Sequence, residues 1–247
     1  MKKENVFSAM TLAGLFTLIP TPVFAMHIME GFLPVKWTVI WWLVSLPFLV
    51  LSYKKMKEVL NERSDGKMML ALCGAFIFVL SALKLPSVTG SSSHPTGVGL
   101  GAILFGPYAM VLLSFVVLVF QSLLLAHGGI TTLGANTFSM GIVGPIVAYG
   151  SYKLLKMMKA PVWLAVMVAA ALGNLATYIV TALQLAIVYQ DPVGGFSAAL
   201  MKFMGIFAVT QIPLAITEGL LTVAILNLVW KYNKEGLQEL DFMRGEI

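Results

Sequence analysis

The sequence is short of charge. Only 11% of its 247 residues are Asp, Glu, Lys or Arg, against 59% hydrophobic, whereas soluble domains carry about 25% charged residues. That scarcity excludes a soluble globular domain. Apolar runs of about 18 residues or more make the chain an all-α integral membrane protein. The formal net charge of +5 then belongs to loops on one side of a bilayer, not to a nucleic-acid surface. The one cysteine, Cys73, lies inside an apolar run as a small packing residue, which rules out a disulfide framework and a cysteine-based metal site. No G-x-x-x-x-G-K-[ST] loop is present, so the chain has no means of hydrolysing ATP. No H-E-x-x-H pair is present either, and an intramembrane metalloenzyme has little to build on.

What is present begins with a leader. Lys2 and Lys3 precede the apolar stretch "AMTLAGLFTLI", Pro20 and Pro22 break it, and Val23 and Ala25 suit the −3 and −1 positions of a signal peptidase site. Residues 1–25 therefore read as a cleaved signal peptide, the alternative being an uncleaved anchor helix. Cleavage leaves Met26 as a free amino terminus outside the cytoplasm. Seven apolar segments follow, at about 36–53, 67–85, 97–106, 108–126, 136–153, 161–189 and 200–230. The third, "GVGLGAILFG", is short and glycine-rich and reads as a broken span shielded from lipid.

Charge placement orients these segments. With Met26 outside, the inner loops and tail hold Lys54, Lys55, Lys57, Arg63, Lys67, Lys153, Lys156, Lys159, Lys231, Lys234 and Arg244. The outer side holds only Lys36, Lys84 and Lys202. Basic residues gather inside, so residues 26–247 are expected to form one polytopic domain in the cell membrane, N-terminus outside and C-terminus inside.

Histidine is as scarce as charge: His27, His94 and His127 are all there is, and this topology puts all three on the outer side. After cleavage, the Met26 amine, the deprotonated backbone nitrogen of His27 and its imidazole Nδ1 can chelate one ion through fused five- and six-membered rings. These donors are nearly coplanar, and a fourth nitrogen completes a square. That arrangement suits Ni(II), Cu(II) or low-spin Co(II), not tetrahedral Zn(II) or oxygen-seeking Mg and Ca. His94, in the turn "SSSHPTG", is the candidate fourth ligand, with Thr96 available to hydrogen-bond within the loop. The alternative for His94 is a solvated loop histidine.

The stretches "MHIMEGFLP" (26–34), "SSSHPTG" (91–97) and "QSLLLAHGGITTLGANTFSMGIVGP" (121–145) resemble the CbiM family. This is the substrate-binding component of energy-coupling-factor cobalt transporters, close to the nickel component NikM. The resemblance covers the whole mature chain. It implies a seven-helix membrane fold, Co(II) as transported substrate for cobalamin synthesis, no catalytic activity, and the ligands Met26, His27 and His94. It also implies partners: ATPase subunits, a transmembrane coupling subunit and a small accessory membrane subunit. Cobalt rather than nickel rests on the resemblance alone. Many members begin directly at "MH", whereas here the amine depends on cleavage. His127 is either an entry-path residue supporting the ligands or the anchor of the "HGG" turn. Gly128, Gly129 and Asn136 are expected to shape a re-entrant loop against the metal cap.

Other polar residues leave choices open. Asn174, Thr177, Thr181 and Gln184 share one helical face, which should point into the bundle. Ala71 and Ala75 form a small-xxx-small surface, and by analogy with such transporters this is where the coupling subunit is expected. Glu30 either orients an imidazole or is a surface carboxylate. Glu218 is the one acid deep in a span, and a stand-alone secondary transporter would have to use it for proton coupling.

Overall fold

A computed structural model describes residues 27–62, 66–86 and 92–238 of the chain. The signal peptide and the Met26 amine lie outside the described residues. Each of the seven apolar segments folds as a helix: α1 (Val35–Glu62), α2 (Gly66–Ala82), α3 (Val98–Phe105), α4 (Pro107–Leu125), α5, α6 (Val162–Val188) and α7 (Gly195–Tyr232). α5 is continuous but changes pitch, with an α turn at Leu133–Asn136, a π stretch at Thr137–Val143 and α geometry over Gly144–Met157. Pro145 follows the π stretch directly, and its missing N–H already interrupts the regular ladder there. A short α8 (Lys234–Gln238) ends the described chain. The fold is all-α apart from a hairpin of β1 (Leu85–Pro86) and β2 (Ser92–Ser93), which pairs Leu85 with Ser93.

Four helices, spanning Val35–Asn61, Pro107–Leu125, Val162–Val188 and Gly195–Tyr232, are long and apolar enough to cross a membrane, and Gly66–Ala82 is a shorter apolar helix. α3 is different. Eight residues rise about 12 Å, well short of the roughly 30 Å of a hydrocarbon core. A helix with such exposed ends survives at membrane depth only if protein surrounds it. All eight of its residues are buried, against α2, α4, α5, α6 and α7. Glycine makes this possible. A Cβ on Gly99 would lie 2.8 Å from the Ala170 Cα of α6.

Gly97 opens α3 with φ 73°, and a Cβ there would lie 2.9 Å from the Ile77 Cα of α2. The left-handed backbone and the clash with main chain act together. Gly97→Ala is expected to cost about 2–4 kcal/mol, read as a lower unfolding midpoint in detergent; an unchanged midpoint would contradict this packing.

The buried apolar residues form two cores. One joins Met56 and Val59 of α1, Leu70 and Cys73 of α2, Ala165 and Val166 of α6, and Leu226 and Val229 of α7. The other joins Ile28 and Leu33 of the N-terminal segment to Ala182 and Leu185 of α6 and to Phe203 and Phe207 of α7. The second core is the floor on which the N-terminal segment rests.

Candidate metal centre

Residues 27–34 lie along the turn between α4 and α5, fixed by their backbone. The Asn136 side chain pairs with residue 28 as a neighbouring strand would. Its Oδ1 accepts the Ile28 N–H at 2.8 Å and its Nδ2 donates to the Ile28 carbonyl at 3.0 Å. Thr132 Oγ1 donates to the same carbonyl at 2.6 Å, and the Gly31 N–H donates to Thr131 Oγ1 at 3.0 Å. A Cβ on Gly129 would fall 2.4 Å from the Glu30 Cα, so only glycine lets the segment lie this close. The 127–136 turn thus packs against this segment, and the Asn136 side chain holds the backbone of the residue next to His27.

Asn136→Ala removes both bonds and leaves a buried N–H without a partner. Metal affinity, measured by chelator competition, is expected to fall about 10–100-fold. Asn136→Asp keeps the acceptor and should fall less.

His94 approaches from the opposite side, in the turn between β2 and α3. It is 0% exposed, so the reading as a solvated loop histidine does not hold. Its Nδ1 lies 2.9 Å from the Pro95 carbonyl, which fixes the proton on Nδ1 and leaves Nε2 as the free donor atom. Nε2 stands 2.7 Å from His27 Nδ1. His127 closes the group, with ring centroids 4.5 Å from His27 and 4.8 Å from His94. One nitrogen from each of the three residues lies within 4.8 Å of the others. His127 Nε2 and His27 Nε2 are buried without a hydrogen-bond partner.

The electrostatics favour neutral rings. Burial pushes His94 down to about 4, with the positive charge of Lys84 adding to it against the Pro95 hydrogen bond. Burial and then His94, His127 and Lys84 hold His27 well below the usual histidine range, and burial does the same for His127. Three neutral imidazoles converging in a buried pocket, with one proton shared between His27 Nδ1 and His94 Nε2 for an ion to displace, are a donor set for a transition-metal ion.

The remaining expected residues divide. Thr96 bonds outside its loop, its hydroxyl donating to Glu218 Oε1 at 2.9 Å, because the turn faces α7. Glu30 is exposed and accepts the Thr131 N–H at 3.2 Å; hydrogen bonding to the Thr131 side chain, and then to backbone N–H groups of residues 131, 130 and 31, holds its carboxyl below the usual range against a small effect of burial. Asn174, Thr177, Thr181 and Gln184 are all buried, as their shared face predicts. Ala71 and Ala75 are exposed on α2, away from the histidines. Sequence reasoning missed Thr132 as a partner of residue 28. It also did not assign Gln211, which donates to the His94 carbonyl at 3.1 Å.

Comparison with known proteins bears on this centre. The model of the CbiM family, described as the cobalt uptake substrate-specific transmembrane region, matches residues 27–236. The chain belongs to the CbiM family. The cobalt transport protein CbiM of Acetohalobium arabaticum is 59% identical over 99% of this chain and 98% of its own length. That of Moorella thermoacetica is 58% identical over 100% and 95%. A crystal structure of a truncated transition-metal transporter has the same fold, with a TM-score of 0.72 and 25% identity over 83% of this chain and 99% of that one. As a CbiM-family member the chain is a metal-binding, multi-pass protein of the plasma membrane that serves cobalt uptake. It is a transport protein and not an enzyme, with Co(II) as its cargo.

Proposed function

We propose that this chain captures Co(II) at the outer face of the membrane for an ATP-driven importer of the energy-coupling-factor type, and holds the ion in a plane of four nitrogens. Three come from the N-terminus: the Met26 amine, the His27 backbone nitrogen and His27 Nδ1. The fourth is His94 Nε2. The 2.7 Å separation of His27 Nδ1 and His94 Nε2 carries the reading. Two nitrogens about 2.0 Å from one ion stand about 2.8 Å apart at a right angle but about 3.3 Å apart in a tetrahedron. The spacing suits the corner of a square, and an entering ion takes the place of the proton between them.

The amine requires cleavage after Ala25. Support comes from the leader's composition and from the family match beginning at His27. A seven-helix multi-pass arrangement, with α3 enclosed by the other helices and the N-terminus outside, is supported by the burial of α3 and by the placement of the basic residues. Lys153 and Lys156 lie toward the C-terminal end of α5, and Lys231 and Lys234 lie around that of α7. His127 lines the way in and offers a transient nitrogen, in line with its unpartnered Nε2. The ATPase pair, a coupling membrane subunit and a small accessory subunit supply the work. The exposed Ala71 and Ala75 of α2 offer the coupling subunit a close-packing surface.

Intact mass spectrometry of the purified protein, with Co and Ni assayed on the same sample, tests the reading. A chain beginning at Met26 with about one Co per molecule is the expected result. A retained leader with metal still bound would remove the amine from the site, and Ni in place of Co would change the cargo.

A further inference from the structure

Glu218 sits on α7, 122 residues from the turn it holds, and is 0% exposed. Its carboxylate is used to capacity. Oε2 accepts the Thr96 N–H at 2.6 Å and an N–H of the Asn174 side chain. Oε1 accepts the Thr96 hydroxyl at 2.9 Å and the Gly97 N–H at 2.8 Å. All four partners are donors, the set a carboxylate satisfies and an amide cannot. Two of these donors are main-chain N–H groups at the start of α3, where no side chain of the turn caps the helix and a negative charge is favoured. Glu218 therefore holds, from α7, the two residues that lead into α3.

Two turns earlier on the same face of α7, Gln211 Nε2 donates to the His94 carbonyl and, at 2.6 Å, to Asn174 Oδ1. One further residue back, Thr210 Oγ1 lies 2.7 Å from Ser93 Oγ. α7 thus grips the turn 93–97 from both ends, with Asn174 of α6 bridging the two grips. His94 contributes its side chain to the histidine cluster, while this network holds its carbonyl and the main chain of residues 96 and 97.

We propose that Glu218 is a positioning residue for the transported ion: by clamping Thr96 and Gly97 to α7 it sets where His94 Nε2 stands, and so how long the ion stays. The proposal rests on the reading of His94 as a ligand. In this arrangement the acid deep in the span makes α7 the carrier of the fourth ligand, and release of the ion to the partner subunits proceeds by withdrawal of α7 with the turn attached. Pro213 lies between the two grips and weakens the helix at that point.

The test uses the full-length protein in detergent, loaded with Ni(II) alone as a redox-inert probe whose ligand-field band reports planar nitrogen coordination. Release to excess EDTA is followed by that band. Glu218→Gln, which keeps shape and replaces an acceptor with a donor, is expected to release Ni(II) about tenfold faster or more and to shift or broaden the band. Glu218→Asp should lie between it and the parent. A parent-like rate and band in Glu218→Gln would overturn the proposal, including the case where only its melting point falls, since that is what a merely structural residue does. If Glu218→Gln does not fold, Thr96→Val decides: about threefold faster release is expected from the loss of one donor, and a parent-like rate overturns. His94→Ala is measured alongside. If it retains Ni(II) as the parent does, the ligand reading itself is what has failed. If it loses Ni(II), the Glu218 variants judge the clamp alone.

Discussion

His94→Ala is expected to purify as a folded membrane protein that has lost tight cobalt binding, with affinity down by more than a hundredfold. Partners standing behind a ligand are already worth about 10–100-fold, and here the proposed fourth ligand itself is removed, which would leave a corner of the square open. Folding should survive because the turn is not held by the imidazole. Gln211 grips the His94 carbonyl and Glu218 grips residues 96 and 97, and alanine keeps that main chain. The cavity left behind should cost about 2 kcal/mol, a modest fall in unfolding midpoint. His127→Ala is the contrast, with a loss of about tenfold if its nitrogen is only a stop on the way in. Isothermal titration with Co(II) checks both variants, and full affinity in His94→Ala would sink the planar site.

The second large effect lies at Met26, the proposed amino terminus. One extra residue ahead of Met26, or a leader that stays attached, turns the amine into an amide and is expected to lower affinity by at least about a hundredfold. The pH dependence follows from the same chemistry. Metal binds the deprotonated donors, so affinity falls as pH falls. The imidazoles contribute little of that fall near neutrality: His94 is depressed to about 4 and His27 lies well below its ordinary value, so both are already neutral at pH 6. The amine, at an ordinary value of about 7.7–8.0, and the His27 amide proton supply the dependence. Between pH 8 and pH 6 the parent should lose affinity steeply, and the extended chain should show a shallower slope. Equal slopes would mean that the amine is not a ligand.

Much of the architecture was legible. The seven apolar segments and the helices of the structure agree to within a few residues at most ends, because long apolar runs in a membrane have only one way to satisfy their backbone. "GVGLGAILFG" announced a short buried helix, since glycine at that density permits contact between backbones and not with lipid. The histidines were legible as a set through their scarcity and their shared side. What pairwise contacts do was not legible. Thr96 lies two residues from His94, yet its hydroxyl bonds to Glu218. Nothing in one sequence ties positions 122 residues apart. Glu218 invited a proton-coupling role because a lone intramembrane acid suggests one. Its four donors give it a structural occupation instead, which leaves the secondary-transporter reading without its one support.

The pairing of residue 28 with Asn136 and Thr132 bears on time as well as on affinity. His27 is 2% exposed, and the segment that carries it doubles as a door: it has to peel off the 127–136 turn before that side of the site is uncovered. A bound ion would then be kept by two clocks, this short pseudo-strand on one side and the grip of α7 on the His94 turn on the other. Loosening either one should shorten its stay, and loosening both should shorten it further.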